Sequence, residues 1–210
     1  MATLIARKKK KLVGPESNGR LMTPEQFDRA DFEEGWRYEL INGVLIVSPT
    51  PSLEERDPNE ELGRWLRNYQ ERHPKGSALN FTVHEHTIRT RKNRRRADRA
   101  IWAGLGRLPR KNETPTIAVE FVSSAKSDRE RDYEAKRKEY MAIRIKEYWI
   151  IDRFERSMVV HSRKAGKLHT RVIREHEVYQ TALLPGFEVS LSKLLALADR
   201  WADFNEEKSA

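Results

Sequence analysis

The chain has 210 residues and no cysteine. Disulfide bonds and metal sites built from thiolates are therefore excluded, and the composition fits the reducing cytoplasm, where we expect the protein to act. No run approaches the roughly 20 consecutive apolar residues that a transmembrane helix needs. The apolar start at residues 1–6 is too short for a signal peptide, and the basic residues follow it instead of preceding it. The remaining composition, 38% hydrophobic and 35% charged, is typical of a soluble protein with a substantial core.

The net charge of +9 is unevenly spread along the chain. Residues 1–20 hold six basic residues and one acid, which leaves +4 for the rest of the chain. We expect residues 1–20 to form a disordered basic tail, residues 21–204 a single domain, and residues 205–210 a short C-terminal tail. Blocks of like charge often bind nucleic acid non-specifically, and the alternative is a tail that only confers solubility.

Two local patterns near the start predict regular structure. Thr23, with Pro24 next and Gln26 three residues on, has the pattern of a helix capping box. Apolar runs on both sides of Asn42 and Gly43 predict a tight hairpin, with strands over residues 36–41 and 44–48. Both patterns fit the start of a folded domain.

The next helix is predicted over residues 57–73, with Asp57 as its N-cap and Pro58 in its first turn. Further strands are predicted over residues 78–90, 96–105, 115–122, 147–152, 157–162 and 167–175, with a charged helix over residues 132–143 and a C-terminal helix burying Leu191, Leu194, Leu195 and Ala198. We interpret the basic stretch RKNRRR at residues 91–96 as a loop between two strands. These elements predict one α/β or mixed α+β domain, in which helices flank a mixed sheet.

Glu120 interrupts an otherwise apolar strand, PTIAVEFVSS. An unpaired buried carboxylate costs several kcal/mol, so this residue needs a partner. Asp98 lies on the neighbouring predicted strand, and two carboxylates placed in this way are typical ligands of Mg²⁺ or Mn²⁺. Lys136 shares a helix face with Tyr133 and Tyr140, so it would point towards the end of the Glu120 strand.

Each of these residues also has a purely structural interpretation. Asp98 is surrounded by arginines and could serve only as a salt-bridge partner, and Lys136 lies in a charged run that solvent could cover. Glu120 has no such simple alternative, because its strand is apolar on both faces. The combination of the three residues therefore favours a metal site that polarises a phosphodiester and activates water.

Seven motifs in order carry a family resemblance: MTPEQF, YELINGVLIVSPTP, RRADRAIW, AVEFVS, RDYEAKRKEY, KEYWIID and LLPGFEV. Over residues 21–201 the chain resembles the Uma-type family of putative restriction endonucleases, within the PD-(D/E)XK nuclease superfamily. The resemblance implies a restriction-endonuclease-like central mixed sheet flanked by helices, with added hairpins. It also implies Mg²⁺-dependent hydrolysis of DNA phosphodiester bonds.

The same resemblance implies roles for individual residues. Asp98 and Glu120 would bind the metal. The superfamily lysine normally lies two residues after the glutamate, where this chain has Val122, and the DxxxK motif formed by Asp132 and Lys136 would supply Lys136 in its place. Glu39, in YELING, would complete the site; alternatively it pairs with Arg37 or Arg89 at the surface.

The arginines immediately before Asp98 are candidates for contacting DNA. Lysine and arginine near a cleft neutralise phosphates, so we expect Arg94, Arg95 and Arg96 to guide a DNA backbone towards the metal site. The leading hypothesis is a metal-dependent endonuclease. The alternative is a catalytically inactive nucleic-acid-binding or regulatory module with the same fold, and a homodimer is compatible with either.

Overall fold

The structure is a computed structural model, which describes residues 12–123, 131–164 and 166–209. The chain divides into two compact units, and the single domain over residues 21–204 stays a prediction. The first unit comprises residues up to 50 together with residues 91–94, and the second comprises residues 51–90 and 95 onwards. Each unit has its own apolar core.

The first unit contains helix α1 (Pro24–Arg29) and the hairpin of β1 (Trp36–Ile41) and β2 (Val44–Pro49). The capping box is confirmed, because the Gln26 amide donates to Thr23 Oγ1 at 3.2 Å and the Thr23 amide donates to Gln26 Oε1 at 2.8 Å. The hairpin is confirmed as well. Asn42 and Gly43 have φ of 49° and 82°, the left-handed conformation that a tight two-residue turn requires.

Residues 12–20, part of the predicted disordered tail, have regular contacts. A 3₁₀ turn at Pro15–Ser17 is followed by a hydrogen bond of 2.8 Å from the Gly19 amide to the Leu45 carbonyl, and Val13 forms a bridge with Phe32. Backbone hydrogen bonds therefore tie Val13 to the segment before β1, and Gly19 and Arg20 to Leu45 of the hairpin. The predicted tail over residues 1–11 lies outside the described residues.

The second unit is built on a mixed sheet. Its elements are α2 (Leu53–Arg72), β3 (Leu79–Arg89), β4 (Arg94–Ala103, whose first residue belongs to the first unit), β5 (Ile117–Phe121), a π-helical turn (Arg131–Lys136), α3 (Arg137–Ala142), β6 (Glu147–Asp152), β7 (Ser157–Lys164), β8 (Lys167–Arg174), β9 (Val178–Gln180), β10 (Glu188–Ser190) and α4 (Leu191–Ser209). Strands β4 to β8 are neighbours in that order, and β3 also pairs with β4. Only the β5–β6 pair is parallel among the β4–β8 pairings. The predicted fold class, a mixed sheet flanked by helices, is confirmed.

The two faces of this sheet are covered by different helices. Val119 and Ile151 belong to the core that contains residues of α2 and α4. Ala118 and Ile150, their neighbours along the same strands, belong to the core that contains Tyr140 of α3. Since successive side chains of a strand point to opposite faces, α2 and α4 cover one face and α3 the other. No helix of the described ranges is long and apolar enough to cross a membrane.

Helix α2 begins five residues before the predicted N-cap at Asp57. Ser52 is the N-cap, and Pro58 lies inside the helix, where it lacks the amide that would bond to the carbonyl of Glu54. Pro58 is buried and lines a small cavity together with Leu194 of α4. Asp57 instead accepts hydrogen bonds from the side chains of the C-terminal helix. That helix also runs to Ser209, beyond the predicted start of a tail at residue 205.

The predicted loop at residues 91–96 is also wrong in part, because residues 94–96 belong to strand β4. Charge alone does not prevent a strand when the charges have partners. In the first unit, Arg94 forms two hydrogen bonds of 2.8 Å with Asp28, and its backbone pairs with Leu40 of β1.

A buried histidine makes stability depend on pH. His161 of β7 is 6% exposed, its Nδ1 lies 2.9 Å from Thr170 Oγ1, and its ring stacks on Tyr148 at 6.3 Å. Burial, assisted by the nearby charge of Arg137 and opposed by that of Glu134, lowers the pKa of His161 to about 4. The neutral ring therefore favours the folded state fully above pH 6.5, and this contribution is lost as the pH falls from 6.5 towards 4.

We predict that the free energy of unfolding falls between pH 6.5 and pH 4.5 by up to about 1 kcal/mol per pH unit. His161→Gln should flatten this dependence, because glutamine does not titrate, whereas His169→Gln on the exposed strand β8 should leave it unchanged. Urea unfolding at several pH values measures the difference. Parallel pH profiles for wild type and His161→Gln would contradict the prediction.

Candidate active site

Asp98 is held on strand β4 opposite Glu120 of β5. The antiparallel register pairs Arg99 with Val119, and its continuation by one residue brings Asp98 and Glu120 side by side on one face. Beyond the ladder, the Phe121 amide donates a hydrogen bond of 2.7 Å to Asp98 Oδ2. Asp98 is 3% exposed. A side-chain carboxylate therefore links the two strands at the point where their backbone pairing ends.

Glu120 and Lys136 form an enclosed ion pair. Lys136 Nζ lies 2.8 Å from Glu120 Oε2, and both side chains are 1% exposed. The same ammonium donates a hydrogen bond of 3.0 Å to the carbonyl of Arg96 in β4. Tyr140 Oη donates to Glu120 Oε1 at a longer distance of 3.4 Å. The partner that the sequence requires for Glu120 is thus a lysine from the following helix, together with a tyrosine.

Lys136 reaches this position from the end of a π-helical turn. The predicted helix over residues 132–143 consists of that turn and α3. π-Helical turns are rare in proteins overall, and those that occur are often found at functional sites. Tyr140 is buried in the core of this face, and Tyr133 packs on that core and donates to Asp152 Oδ2 at 2.9 Å. The predicted inward face of Tyr133, Lys136 and Tyr140 is therefore confirmed. The side chain of Asp132 lies outside those that the structure describes.

The predicted DNA contacts have intramolecular partners. Arg95 forms a salt bridge with Glu139 of α3, and its side chain is only 3% exposed. Arg96 pairs with Glu85 of β3 at 2.8 Å and is 28% exposed. Arg94 is 9% exposed and paired within the first unit. Of the three side chains, Arg96 is the most accessible to a ligand.

Val122 and Glu39, which the family resemblance also singles out, are both buried but lie in different units. Val122, which stands where the superfamily lysine is expected, is 2% exposed and packs in the core around α3. Glu39 is buried in β1 of the first unit, opposite Ile46 of β2. The structure brings Asp98, Glu120 and Lys136 together within the second unit, and the role of Glu39 as a ligand stays a prediction.

Asn59 is a site residue that the sequence reasoning missed. Its Nδ2 donates a hydrogen bond of 2.9 Å to the backbone carbonyl of Asp98, and its Oδ1 accepts from Arg99 Nε at 2.7 Å. A signal for it exists in the sequence, because Asn59 is in helical phase with the buried Leu62 and Leu66. A polar residue on the apolar face of a helix requires a partner, and here the partners are the backbone of β4 and Arg99.

The arrangement combines two carboxylates with one ammonium in a dry environment. In such surroundings electrostatic interactions are stronger than in water, so the charges constrain one another's positions. Within residues 12–123, 131–164 and 166–209, no group of three or more histidine, cysteine, aspartate or glutamate residues is placed to hold a metal ion. Mg²⁺ commonly binds one or two carboxylates and completes its shell with water and substrate phosphate, so the acid pair fits this ion.

The fold places the protein among the α+β proteins with a mixed central sheet. A solved structure has a similar fold. A crystal structure from Anabaena variabilis ATCC 29413, described as "a putative nuclease belonging to DUF820", matches with a TM-score of 0.64 at 13% identity. The match covers 84% of this chain and 99% of that one, and at this identity it shows the fold alone. No protein with a curated description matches the chain.

The family is shown by the sequence profile. The profile described as "Putative restriction endonuclease" (Uma2) matches residues 24–196, which is most of the chain. The protein therefore belongs to this family, and the resemblance seen in the motifs is confirmed. The description of the family supports a nuclease function.

We predict that the enclosed ion pair is strongly coupled. Lys136→Met leaves the Glu120 carboxylate buried without its cation and should destabilise the protein by about 3–5 kcal/mol. The double variant Glu120→Gln/Lys136→Met removes both charges and should be more stable than Lys136→Met alone. Urea unfolding of wild type, both single variants and the double variant measures the coupling, and additive effects would contradict it.

Proposed function

We propose that the protein is a metal-dependent endonuclease that hydrolyses phosphodiester bonds of DNA. The observation that carries the proposal is the meeting of Asp98, Glu120 and Lys136 at the end of β5, with Lys136 Nζ 2.8 Å from Glu120 Oε2. Asp98, directly opposite Glu120 on β4, brings a second carboxylate to the site, and one or two carboxylates are the usual protein ligands of Mg²⁺.

Asp98 and Glu120 are the proposed ligands of Mg²⁺ or Mn²⁺. When bound, such an ion polarises a phosphodiester and lowers the pKa of a coordinated water. The hydrogen bond from the Phe121 amide fixes Asp98 Oδ2, and the contacts with Lys136 and Tyr140 fix both oxygens of Glu120. The carboxylates are therefore held in place before an ion arrives, which reduces the cost of assembling the site.

Lys136 is the proposed counterpart of the lysine that Val122 replaces. Its ammonium is anchored by Glu120 in β5 and by the Arg96 carbonyl in β4. In this position the ammonium orients Glu120. We assign to Lys136 two further roles, which are to position the attacking water and to stabilise the charge that builds up on phosphorus. Glu39 stays a candidate third acidic residue of this site.

The alternative function is a nucleic-acid-binding or regulatory module without turnover. The observation that favours it is the buried Val122 at the usual lysine position, with the ammonium of Lys136 engaged in a tight ion pair. In that case DNA would bind without any dependence on a divalent metal.

We predict that the wild-type protein nicks or linearises supercoiled plasmid in the presence of Mg²⁺ or Mn²⁺, and that Asp98→Asn abolishes this activity. Asparagine keeps an oxygen that can accept from the Phe121 amide, so the fold should persist while the charge is lost. Glu120→Gln should also be inactive, but it disrupts the pair with Lys136 and requires a stability control. Gel electrophoresis of the plasmid is the measurement.

The matched control is Asp57→Asn. This carboxylate accepts hydrogen bonds from Arg200 and Trp201 in the second unit and is remote in sequence from the proposed ligands. The Asp57→Asn variant should cleave plasmid like wild type. Metal-dependent cleavage that survives in purified Asp98→Asn would contradict the assignment, and metal-independent DNA binding without cleavage would favour the alternative module.

We propose that Arg96, with Arg94 and Arg95, neutralises DNA phosphate, and Arg96→Gln tests the accessible member of the three. The variant should bind duplex DNA more weakly and reduce the slope of log affinity against log salt by about 1. Arg163→Gln, an exposed arginine on β7, is the control and should change neither quantity. Fluorescence anisotropy at several salt concentrations in EDTA is the measurement, and an unchanged slope in Arg96→Gln would contradict the contact.

A further inference from the structure

A basic groove lies on the other face of the second unit's sheet. It has a volume of about 370 Å³ and is lined by residues of α2, β3 and β4, among them Arg64, Arg67, Thr82, His84 and Arg99. Arg99 follows Asp98 directly in β4, so its side chain points to the opposite face. The groove is therefore distinct from the acid pair.

Arg99 forms the floor of the groove. Its side chain is 4% exposed, and its hydrogen bonds run to neutral acceptors: Asn59 Oδ1 at 2.7 Å, the Asn59 carbonyl at 2.7 Å and Thr82 Oγ1 at 3.4 Å. The carboxylate of Glu60 lies 4.0 Å from Nη2, beyond hydrogen-bond distance. Arg99 is a buried cation whose hydrogen bonds all run to neutral acceptors and whose nearest carboxylate is a partly exposed Glu60 at 4.0 Å, and an anionic ligand would offset the cost of burying it.

Gly63 shows that α2 is shaped around this guanidinium. A Cβ atom at position 63 would lie 2.6 Å from Arg99 Nη2 and 2.8 Å from Cζ. Glycine inside a helix costs about 1 kcal/mol relative to alanine. The helix thus gives up intrinsic stability at a residue packed directly against the Arg99 guanidinium, which is expected if the cation has a use there.

The other charges of the groove favour an anion. Arg67 Nη2 donates a hydrogen bond of 3.1 Å to the carbonyl of Thr82 in β3. The side chain of the same threonine contacts Arg99, so the two guanidinium groups lie near one residue. Arg64 pairs with Glu61 on the outer side of the helix. The one acid of the lining, Glu60, is engaged by His84 at 2.6 Å. Arg67 and Arg99, whose hydrogen bonds run to neutral acceptors, therefore outnumber the one carboxylate of the lining, which already pairs with His84.

We propose that this groove is a phosphate-binding site, in which Arg99 and Arg67 contact the phosphate and Arg64 contributes at the rim. Arginine is suited to the role because its planar fork donates two parallel hydrogen bonds to phosphate oxygens. The phosphate belongs either to a nucleic-acid backbone or to a free phosphate-bearing ligand. The proposal does not depend on cleavage at the acid pair.

The test compares two groove variants with one matched control on the same helix. Gly63→Ala places a methyl group against the Arg99 guanidinium without changing charge, and Arg67→Gln removes an exposed charge. Arg72→Gln removes an equal charge outside the groove. Calorimetry with inorganic phosphate and with AMP, at constant ionic strength and with EDTA, should show binding to wild type that weakens about tenfold in both groove variants and is unchanged in Arg72→Gln.

Fluorescence anisotropy with a labelled single-stranded oligonucleotide then separates the two sources of phosphate. A parallel loss of oligonucleotide affinity in the groove variants assigns the site to the nucleic-acid backbone, whereas an unchanged oligonucleotide affinity assigns it to a free ligand. The proposal is overturned if phosphate, AMP and oligonucleotide all bind the groove variants as they bind Arg72→Gln. Phosphate binding is measured in EDTA and requires neither a metal nor cleavage, so a failure of this proposal is distinguishable from a failure of the proposed nuclease activity.

Discussion

The ion pair between Lys136 and Glu120 is the interaction on which the proposed site depends. Both groups are almost completely enclosed, so their attraction is scarcely screened by water, and neither charge could stay buried without the other. The pair joins the helical turn after β5 back to the sheet, while the Arg96 carbonyl ties the same ammonium to β4. One side chain thereby fixes the spacing of a helix and two strands around the carboxylates.

The two proposed sites lie on opposite faces of strand β4. Asp98 points towards the ion pair, and Arg99 points into the basic groove. Asn59 of α2 connects them, because it donates to the Asp98 carbonyl and accepts from Arg99. A phosphate in the groove would therefore contact a residue covalently next to a proposed metal ligand, with a shared hydrogen-bond partner between the two.

Local sequence patterns predicted those features that depend on local chemistry. The capping box at Thr23, the turn at Asn42 and the buried acid at Glu120 each follow from a few neighbouring residues. The predictions failed where distant partners decide. Arg94 lies in a strand where Asp28 pairs with its charge, and Pro58 lies inside a helix whose core is shared with α4. The ammonium of Lys136 could be oriented by helical phase, but its contact with the Arg96 carbonyl depends on tertiary structure alone.

The most direct test of the account is a calorimetric titration of Mn²⁺ into wild type and into Asp98→Asn, without nucleic acid. The account predicts that wild type binds the ion and that the affinity falls by more than about tenfold in Asp98→Asn, with unchanged unfolding by urea. Identical isotherms for the two proteins would contradict the claim that Asp98 and Glu120 form a metal site.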